Sequence, residues 1–305
     1  MRYCFAPMEG ITDAIYRRLH HTYFPGVQSY YMPFFSPTVH RCLTPRESRE
    51  LPPATNAFHA VPQVLTKNAQ DFLWASQVCR DLGYDEINLN LGCPSGTVVA
   101  KGKGSGMLRD LDALEGFLSE IFAKSVLPIS LKTRLGLESP EEFPAILALY
   151  NQFPVKELTV HPRVRKAFYS GSADLEAFAW AYDHTRLPLC YNADVDSVEK
   201  AREISRRFPR VQRVMIGRAL VGNPGMLTPG WEISQLESFL AELTDSYRVA
   251  FGSARNAMFR MKENWSYLLP HFQGSQQLGK QLRKTTDLDR YNALVQEIFA
   301  TCPYR

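Results

Sequence analysis

Short apolar runs alternate with amphipathic stretches along the first two thirds of the chain. The runs at 2–8, 29–35, 59–65, 87–94, 128–134, 157–161, 187–192 and 213–218 have the alternation or continuous apolar character of strands. Between them, 68–82 places Phe72, Ala75, Val78, Cys79 and Leu82 on one helical face, and 111–122 does the same with Leu111, Leu114, Leu118 and Phe122. Helices are also expected after Thr12 or Asp13, either of which can cap, over 140–150 with its early proline, around 175–182, and over 197–208. Strand-like runs about 25 to 30 residues apart, with helices between them, predict an α/β fold: a (β/α)8 TIM barrel with its working residues at the C-terminal strand ends. An open doubly wound sheet would also use its strand ends. The number of repeats and the lack of an early Gly-x-Gly-x-x-Gly favour the barrel. Pro and Gly at 223–230 break the pattern, and only helical stretches follow, at 236–251, 255–269 and 288–299. The expected organisation is a barrel domain over 1–230 and a small C-terminal helical domain over 231–305.

Composition changes this picture little. The 305 residues are 45% apolar and 22% charged, which is ordinary for a globular chain. A net charge of +4 is compatible with a polyanionic partner without requiring one. The 6 cysteines are scattered, with no Cys-x-x-Cys pair, so they read as reduced thiols rather than a zinc site or disulfide framework. No leader segment or long apolar run is seen, so a cytoplasmic protein, free of the membrane and monomeric, is expected.

The strand ends change it more. Read off in order they are Met8 and Glu9, Gln63, Asn90 and Cys93, Lys132 and Arg134, His161 and Arg163, Asn192 and Asp194, then Gly217 and Arg218. Polar and ionisable groups recur at one structural position, which a packing core would not need. Lys132 can stabilise negative charge on a bound ring, and His161 and Asn90 can hydrogen-bond the edge of a planar heterocycle. The late turns at 192–195 and 217–218 follow the last two strands, where barrels often hold a phosphate; Arg218 offers a charged fork there. These residue types suggest a phosphorylated planar cofactor, with flavin mononucleotide ahead of pyridoxal phosphate. Lys132 leaves the second open as a Schiff-base lysine. Cys93 ends its strand in Gly-Cys-Pro before a glycine-rich run at 101–106, and on a mobile loop it could deliver a proton or act as a nucleophile. Taken alone, it reads first as a small buried apolar residue, the commonest fate of a free cysteine.

Six motifs together carry a resemblance. Ala6-Pro7-Met8-Glu9-Gly10-Ile11-Thr12-Asp13, Asn90-Leu91-Gly92-Cys93-Pro94, Lys132-Thr133-Arg134-Leu135-Gly136, His161-Pro162-Arg163, Asn192-Ala193-Asp194 and Met215-Ile216-Gly217-Arg218 occur in the order found in the tRNA-dihydrouridine synthases, which the chain resembles. The resemblance implies an FMN-containing barrel, a helical C-terminal domain that helps hold tRNA, and reduction of a uridine to 5,6-dihydrouridine with NADPH. It implies that Cys93 is the general acid and that Pro7, Met8, Gln63, Lys132 and His161 lie at the flavin ring. By the same resemblance Asn192, Asp194, Gly217 and Arg218 surround the ribityl chain and phosphate, and Asn90, Arg134 and Arg163 face the uracil. The chain departs from the common family pattern at Pro162, Ala193 and Ala219, where glycine is usual. The two alanines would loosen the phosphate site if their backbone needed positive φ.

An RNA substrate needs a positive surface and a target base drawn out of its stack. Lys101 and Lys103 stand close to Cys93 in sequence. Lys280, Arg283 and Lys284 share a helical face, and Trp265, Tyr267, His271 and Phe272 lie among the basic residues of 255–284. Structured RNA is therefore the expected partner, tRNA first and ribosomal RNA as the alternative. Two other functions fit the residues less well: a flavin barrel acting on a free pyrimidine or other small molecule, and an RNA-binding protein without catalysis.

Overall fold

Parallel strands curve into a nearly closed barrel in a computed structural model that describes residues 1–55 and 57–305. They are β1 (Arg2–Phe5), β2 (Ser29–Tyr31), β3 (His59–Val61), β4 (Gln63–Val64), β5 (Ile87–Leu91), β6 (Ile129–Arg134), β7 (Leu158–His161), β8 (Leu189–Tyr191) and β9 (Arg213–Ile216). Their spatial order is β3-β2-β1-β9-β8-β7-β6-β5-β4. The ninth strand comes from Pro62, which divides the third expected run because proline has no ladder donor. On one side of it β3 pairs with β2, and on the other β4 pairs with β5. Pro62 still accepts from the Asn88 N–H at 2.8 Å, so one run of chain bridges the two ends of the sheet.

The helices are α1 (Ala14–Tyr23), α2 (Pro45–Glu50), α3 (Ala69–Asp81), α4 (Gly96–Ala100), α5 (Leu111–Lys124), α6 (Phe143–Tyr150), α7 (Leu175–His184), α8 (Val198–Arg207), α9 (Arg218–Gly222), α10 (Ile233–Phe251), α11 (Ala254–Leu268), α12 (Gln276–Lys284) and α13 (Leu288–Thr301). Asn68, Asp110 and Asp174 cap α3, α5 and α7 by accepting from the N–H three residues on, at 2.8–3.0 Å. The buried face of α5 is Leu114, Phe117, Leu118 and Ile121, each worth about 2 kcal/mol over exposure. The segment expected as one helix from Pro140 opens as a 3-10 turn over Pro140–Glu142 and becomes α-helical only at Phe143. Among the described residues, no helix is long and apolar enough to cross a membrane.

The chain groups into two compact units. The first, Met1–Pro7, Gln28–Val195 and Glu199–Ile216, holds every barrel strand. The second, Met8–Val27, Asp196–Val198 and Gly217–Arg305, joins α1 to the C-terminal helices. Residue 230, the expected boundary, therefore lies inside the second unit. The reason is aromatic packing: Tyr16 of α1 and Phe24 just beyond it meet Phe239 of α10 edge-on, each at 5.5 Å between ring centres. Asp13 caps α1 through the Tyr16 N–H at 2.9 Å and faces Arg260 of α11 at 3.9 Å.

Candidate active site

Strand β5 sets the site by its alternation. Ile87, Leu89 and Leu91 are one face and Asn88 and Asn90 the other, so the polar pair shares a side. The register places Gln63 beside Asn88 and Asn88 beside Ser130; one step further along, Asn90 is beside Lys132 and Lys132 beside Thr159. Asn90 donates through Nδ2 to Gln63 Oε1 at 2.7 Å. Its Oδ1 accepts from the N–H groups of Gly92 at 3.1 Å and Cys93 at 2.9 Å. Gln63, Asn90 and Cys93 thus form one connected group.

The Cys93 carbonyl accepts from the Ser105 N–H at 3.2 Å and from Ser105 Oγ at 2.8 Å. The glycine-rich run is therefore packed from Gly104 onward, while Lys101 at its start is exposed. Gly104, Ser105 and Gly106 are buried within a 3-10 turn over Gly104–Arg109, and Gly104 has φ +57. Cys93 itself is half-buried, whereas Cys4, Cys79, Cys190 and Cys302 are buried and Cys42 is exposed. A half-buried thiol on an anchored turn can approach a planar ligand while bulk water stays limited.

Lys132 is half-buried at the middle of β6. Among the described residues its Nζ has no hydrogen-bond or ion-pair partner. Burial, and next the Arg134 guanidinium, lower its pKa from 10.5 to about 8. His161 ends β7, with its Nε2 3.1 Å from Arg163 and its ring 5.9 Å from that of Tyr169.

The two arginines are engaged by the surrounding turns. Arg134, 1% exposed, donates to the carbonyls of Gly92 at 2.9 Å, Val164 at 3.2 Å and Phe168 at 2.8 Å, and stands over the Tyr169 ring. Arg163 donates to the carbonyls of Ser170 and Gly171 and to Asp194 Oδ2. These contacts hold the turn after β5 and the segment after β7 in place. Asp194 also accepts from the Ala173 N–H at 3.1 Å, and Asn192 donates to the Met215 carbonyl at 2.8 Å. Positive φ falls on Asp194, at 45°, and not on Ala193 or Ala219, so neither alanine strains the backbone where the family pattern has glycine.

Pro7 is half-buried at the end of the first unit's opening segment, and Lys101 is exposed while Lys103 is half-buried. In the second unit, Met8 is half-buried and its N–H donates to Thr12 Oγ1 at 2.9 Å. The Gly217 carbonyl accepts from Leu220 at 3.0 Å as α9 opens, with Arg218 exposed at its start. Lys280, Arg283 and Lys284 are exposed on α12, and the Arg283 carbonyl accepts from Lys262 Nζ at 3.2 Å.

Reading strand ends alone misses Asn88, Ser130, Ser105 and Tyr169. The signal for the first two was present: they sit one alternation before Asn90 and Lys132 on the same face. Ser105 and Tyr169 lie in turns that sequence periodicity does not describe.

A family model described as dihydrouridine synthase matches residues 4–297. A probable tRNA-dihydrouridine synthase of Rhizobium leguminosarum is 32% identical over 224 residues, 73% of this chain and 69% of that protein. The tRNA-dihydrouridine synthase B of Pseudomonas aeruginosa is 27% identical over 319 residues, 98% of this chain and 93% of that protein. In fold, the chain is similar to the old yellow enzyme homologue of Zymomonas mobilis, with a TM-score of 0.56 at 10% identity, covering 73% of this chain and 86% of that one. Morphinone reductase gives a TM-score of 0.52 at 10% identity, covering 74% and 84%. With the six motifs placed in and directly after the strands of a parallel barrel and the match running almost end to end, the chain belongs to the dihydrouridine synthase family.

Proposed function

We propose that this protein reduces the carbon 5–carbon 6 double bond of a uridine in tRNA to give 5,6-dihydrouridine, with flavin mononucleotide as cofactor and NADPH as reductant. Family membership and the names of the full-length relatives support the reaction class. The observation that carries the site assignment is the Lys132 ammonium, without a hydrogen-bond or ion-pair partner among the described residues and flanked in register by Asn90 and Thr159 on a polar barrel face.

That donor set fits a flavin. An ammonium suits the carbonyl and nitrogen edge of an electron-poor ring and His161 adds a further polar group, while Gln63, which the family motifs assign to the ring, is buried with its amide held between Asn88 and Asn90. When bound, the flavin supplies the hydride taken by carbon 6 of the uracil. Lys132 would hold the cofactor ring and, as an ammonium, stabilise negative charge on it. Asn90 anchors the Cys93 turn, and its remaining Nδ2 proton is free to orient an acceptor on the uracil. The Cys93 Sγ–H gives its proton to carbon 5, so hydride and proton complete a two-electron reduction. Arg134 and Arg163 keep the turns around this group closed. The family motifs assign Pro7, Met8, Asn192, Asp194, Gly217 and Arg218 to the cofactor, and Lys101, Lys103, Lys280, Arg283 and Lys284 to the RNA.

The test is direct. Purified protein, FMN, NADPH and unmodified tRNA should yield dihydrouridine at a defined position, read by reverse-transcription arrest and nucleoside mass spectrometry. Turnover of free uracil with none on tRNA would overturn the substrate assignment.

A further inference from the structure

Barrel interiors are usually filled by branched apolar side chains. One sector of this barrel is instead a continuous line of hydrogen bonds. Asn90 Nδ2 donates to Gln63 Oε1 at 2.7 Å and Gln63 Nε2 donates to Asn88 Oδ1 at 2.7 Å. Asn88 Nδ2 then donates to Ser130 Oγ at 2.9 Å, and Ser130 Oγ donates to Glu86 Oε1 at 2.5 Å. Glu86 is fully buried and its other oxygen pairs with Lys156 Nζ at 2.7 Å. Glu86 and Lys156 precede β5 and β7, so the line runs from the floor of the barrel to the Cys93 turn at its mouth.

Every donor in the line points toward the carboxylate. Both ends demand that direction: the N–H groups of Gly92 and Cys93 can only donate, and the Glu86 oxygens accept from Ser130 Oγ and face Lys156 Nζ. Flipping any one of the three amides would set donor against donor or leave an acceptor without its donor in a buried site, which costs the desolvation of each unpaired group. The line therefore decides which way Gln63 and Asn90 present their amide faces. A carboxylate at one end also polarises each bond along it.

We propose that Glu86, Ser130 and Asn88 are positioning residues of the active site, acting through Gln63 and Asn90 to hold the Cys93 turn. What Gln63, Asn90 and Cys93 do chemically rests on the function proposed above; the positioning does not. It extends the site from the barrel mouth to an ion pair on its floor, three side chains beyond any group placed at the ligand.

The experiment uses the full chain carrying Cys42→Ser, which removes the exposed thiol and leaves Cys93 as the alkylation target. Peptide-resolved hydrogen exchange and the rate of Cys93 alkylation by iodoacetamide are compared among this parent, Ser130→Ala and Glu86→Gln. Removing one buried link should speed exchange at 90–94 and Cys93 alkylation roughly fivefold to tenfold, while exchange at 158–160 in β7 keeps the parental rate. It should also lower kcat for uridine reduction with KM for tRNA unchanged. If Glu86→Gln does not fold, Ser130→Ala decides alone, since it leaves the Glu86–Lys156 pair in place. Unchanged exchange and alkylation in Ser130→Ala, or an equal rise in β7, overturns the proposal. Hydrogen exchange and alkylation need no RNA, so a parent protein that fails to reduce uridine counts against the functional reading and not against the positioning line.

Discussion

Asn90 Oδ1 accepts from the N–H of Cys93 at 2.9 Å, so a side chain on the last inward position of β5 holds the backbone of the proposed acid. The same amide donates to Gln63, which places the thiol turn and a proposed flavin contact under one side chain. A one-residue slip of β5 would turn Asn88 and Asn90 outward and break both ties at once.

Removing the thiol separates the two halves of the reaction. Cys93→Ala should still bind flavin and oxidise NADPH, because Cys93 has no part in that step. Reduction of tRNA should fall by about a hundredfold or more, the usual worth of a general acid. Single-turnover oxidation of the reduced enzyme by tRNA measures this, and equal rates in mutant and parent would remove Cys93 from the acid role.

Adding one methyl behind the thiol should disturb it. Gly104 has φ +57, and a Cβ there would meet Cys93 Cβ and Val98 Cγ1 at 3.0 Å and the Cys93 carbonyl at 3.1 Å. Gly104→Ala is expected to lose about 2 kcal/mol in urea unfolding, combining left-handed strain with overpacking. A neutral effect on the urea midpoint would show that the turn yields freely.

The charge on Lys132 gives a pH signature. Unfolded, the lysine holds its proton to about pH 10.5; folded and without ligand, burial lowers that to about pH 8. Between these values the unfolded chain binds more protons, so this group makes stability rise with pH from about 8 to about 10.5. Urea unfolding of flavin-free protein across that window should show the rise, and Lys132→Met should flatten it relative to the parent. A parent and Lys132→Met with parallel stability profiles would place the lysine at its ordinary pKa.

The exposed basic face of α12 gives a salt signature. Lys284→Glu should weaken tRNA binding several-fold and reduce the slope of log affinity against log salt by roughly one, with the flavin spectrum unchanged. Filter binding across a salt series checks this. Affinity that does not change at low salt would take α12 out of the RNA surface.

Much of the architecture was legible because strands and helices have different apolar periods. The runs at 87–94 and 128–134 became β5 and β6, and the apolar spacing of 111–122 became α5. The motifs also marked Asn90 and Cys93, since a barrel strand must present its last residues at one rim, and Lys132, which stands beside Asn90 in register. Other features were hidden because they depend on contacts between distant segments. Arg134 reads as a rim cation in sequence, yet its guanidinium closes on three turn carbonyls contributed by two other loops. The glycines at 101–106 read as slack, yet Gly104 and Gly106 permit close packing against Cys93 and Val99.

What the sequence determined by itself is therefore the alternation that makes a barrel and the set of chemical groups brought to its rim, because both follow from local period and residue type. Tertiary structure alone decided which of those groups remain available. Among the described residues it left the Lys132 ammonium without a hydrogen-bond or ion-pair partner, and it engaged Arg134 and Arg163 with turn carbonyls. It also joined Asn90 to Glu86 through side chains from three strands. Hydrogen bonds between residues 25 to 44 positions apart have no local signal, and only the closed, register-locked sheet brings their donors and acceptors within reach.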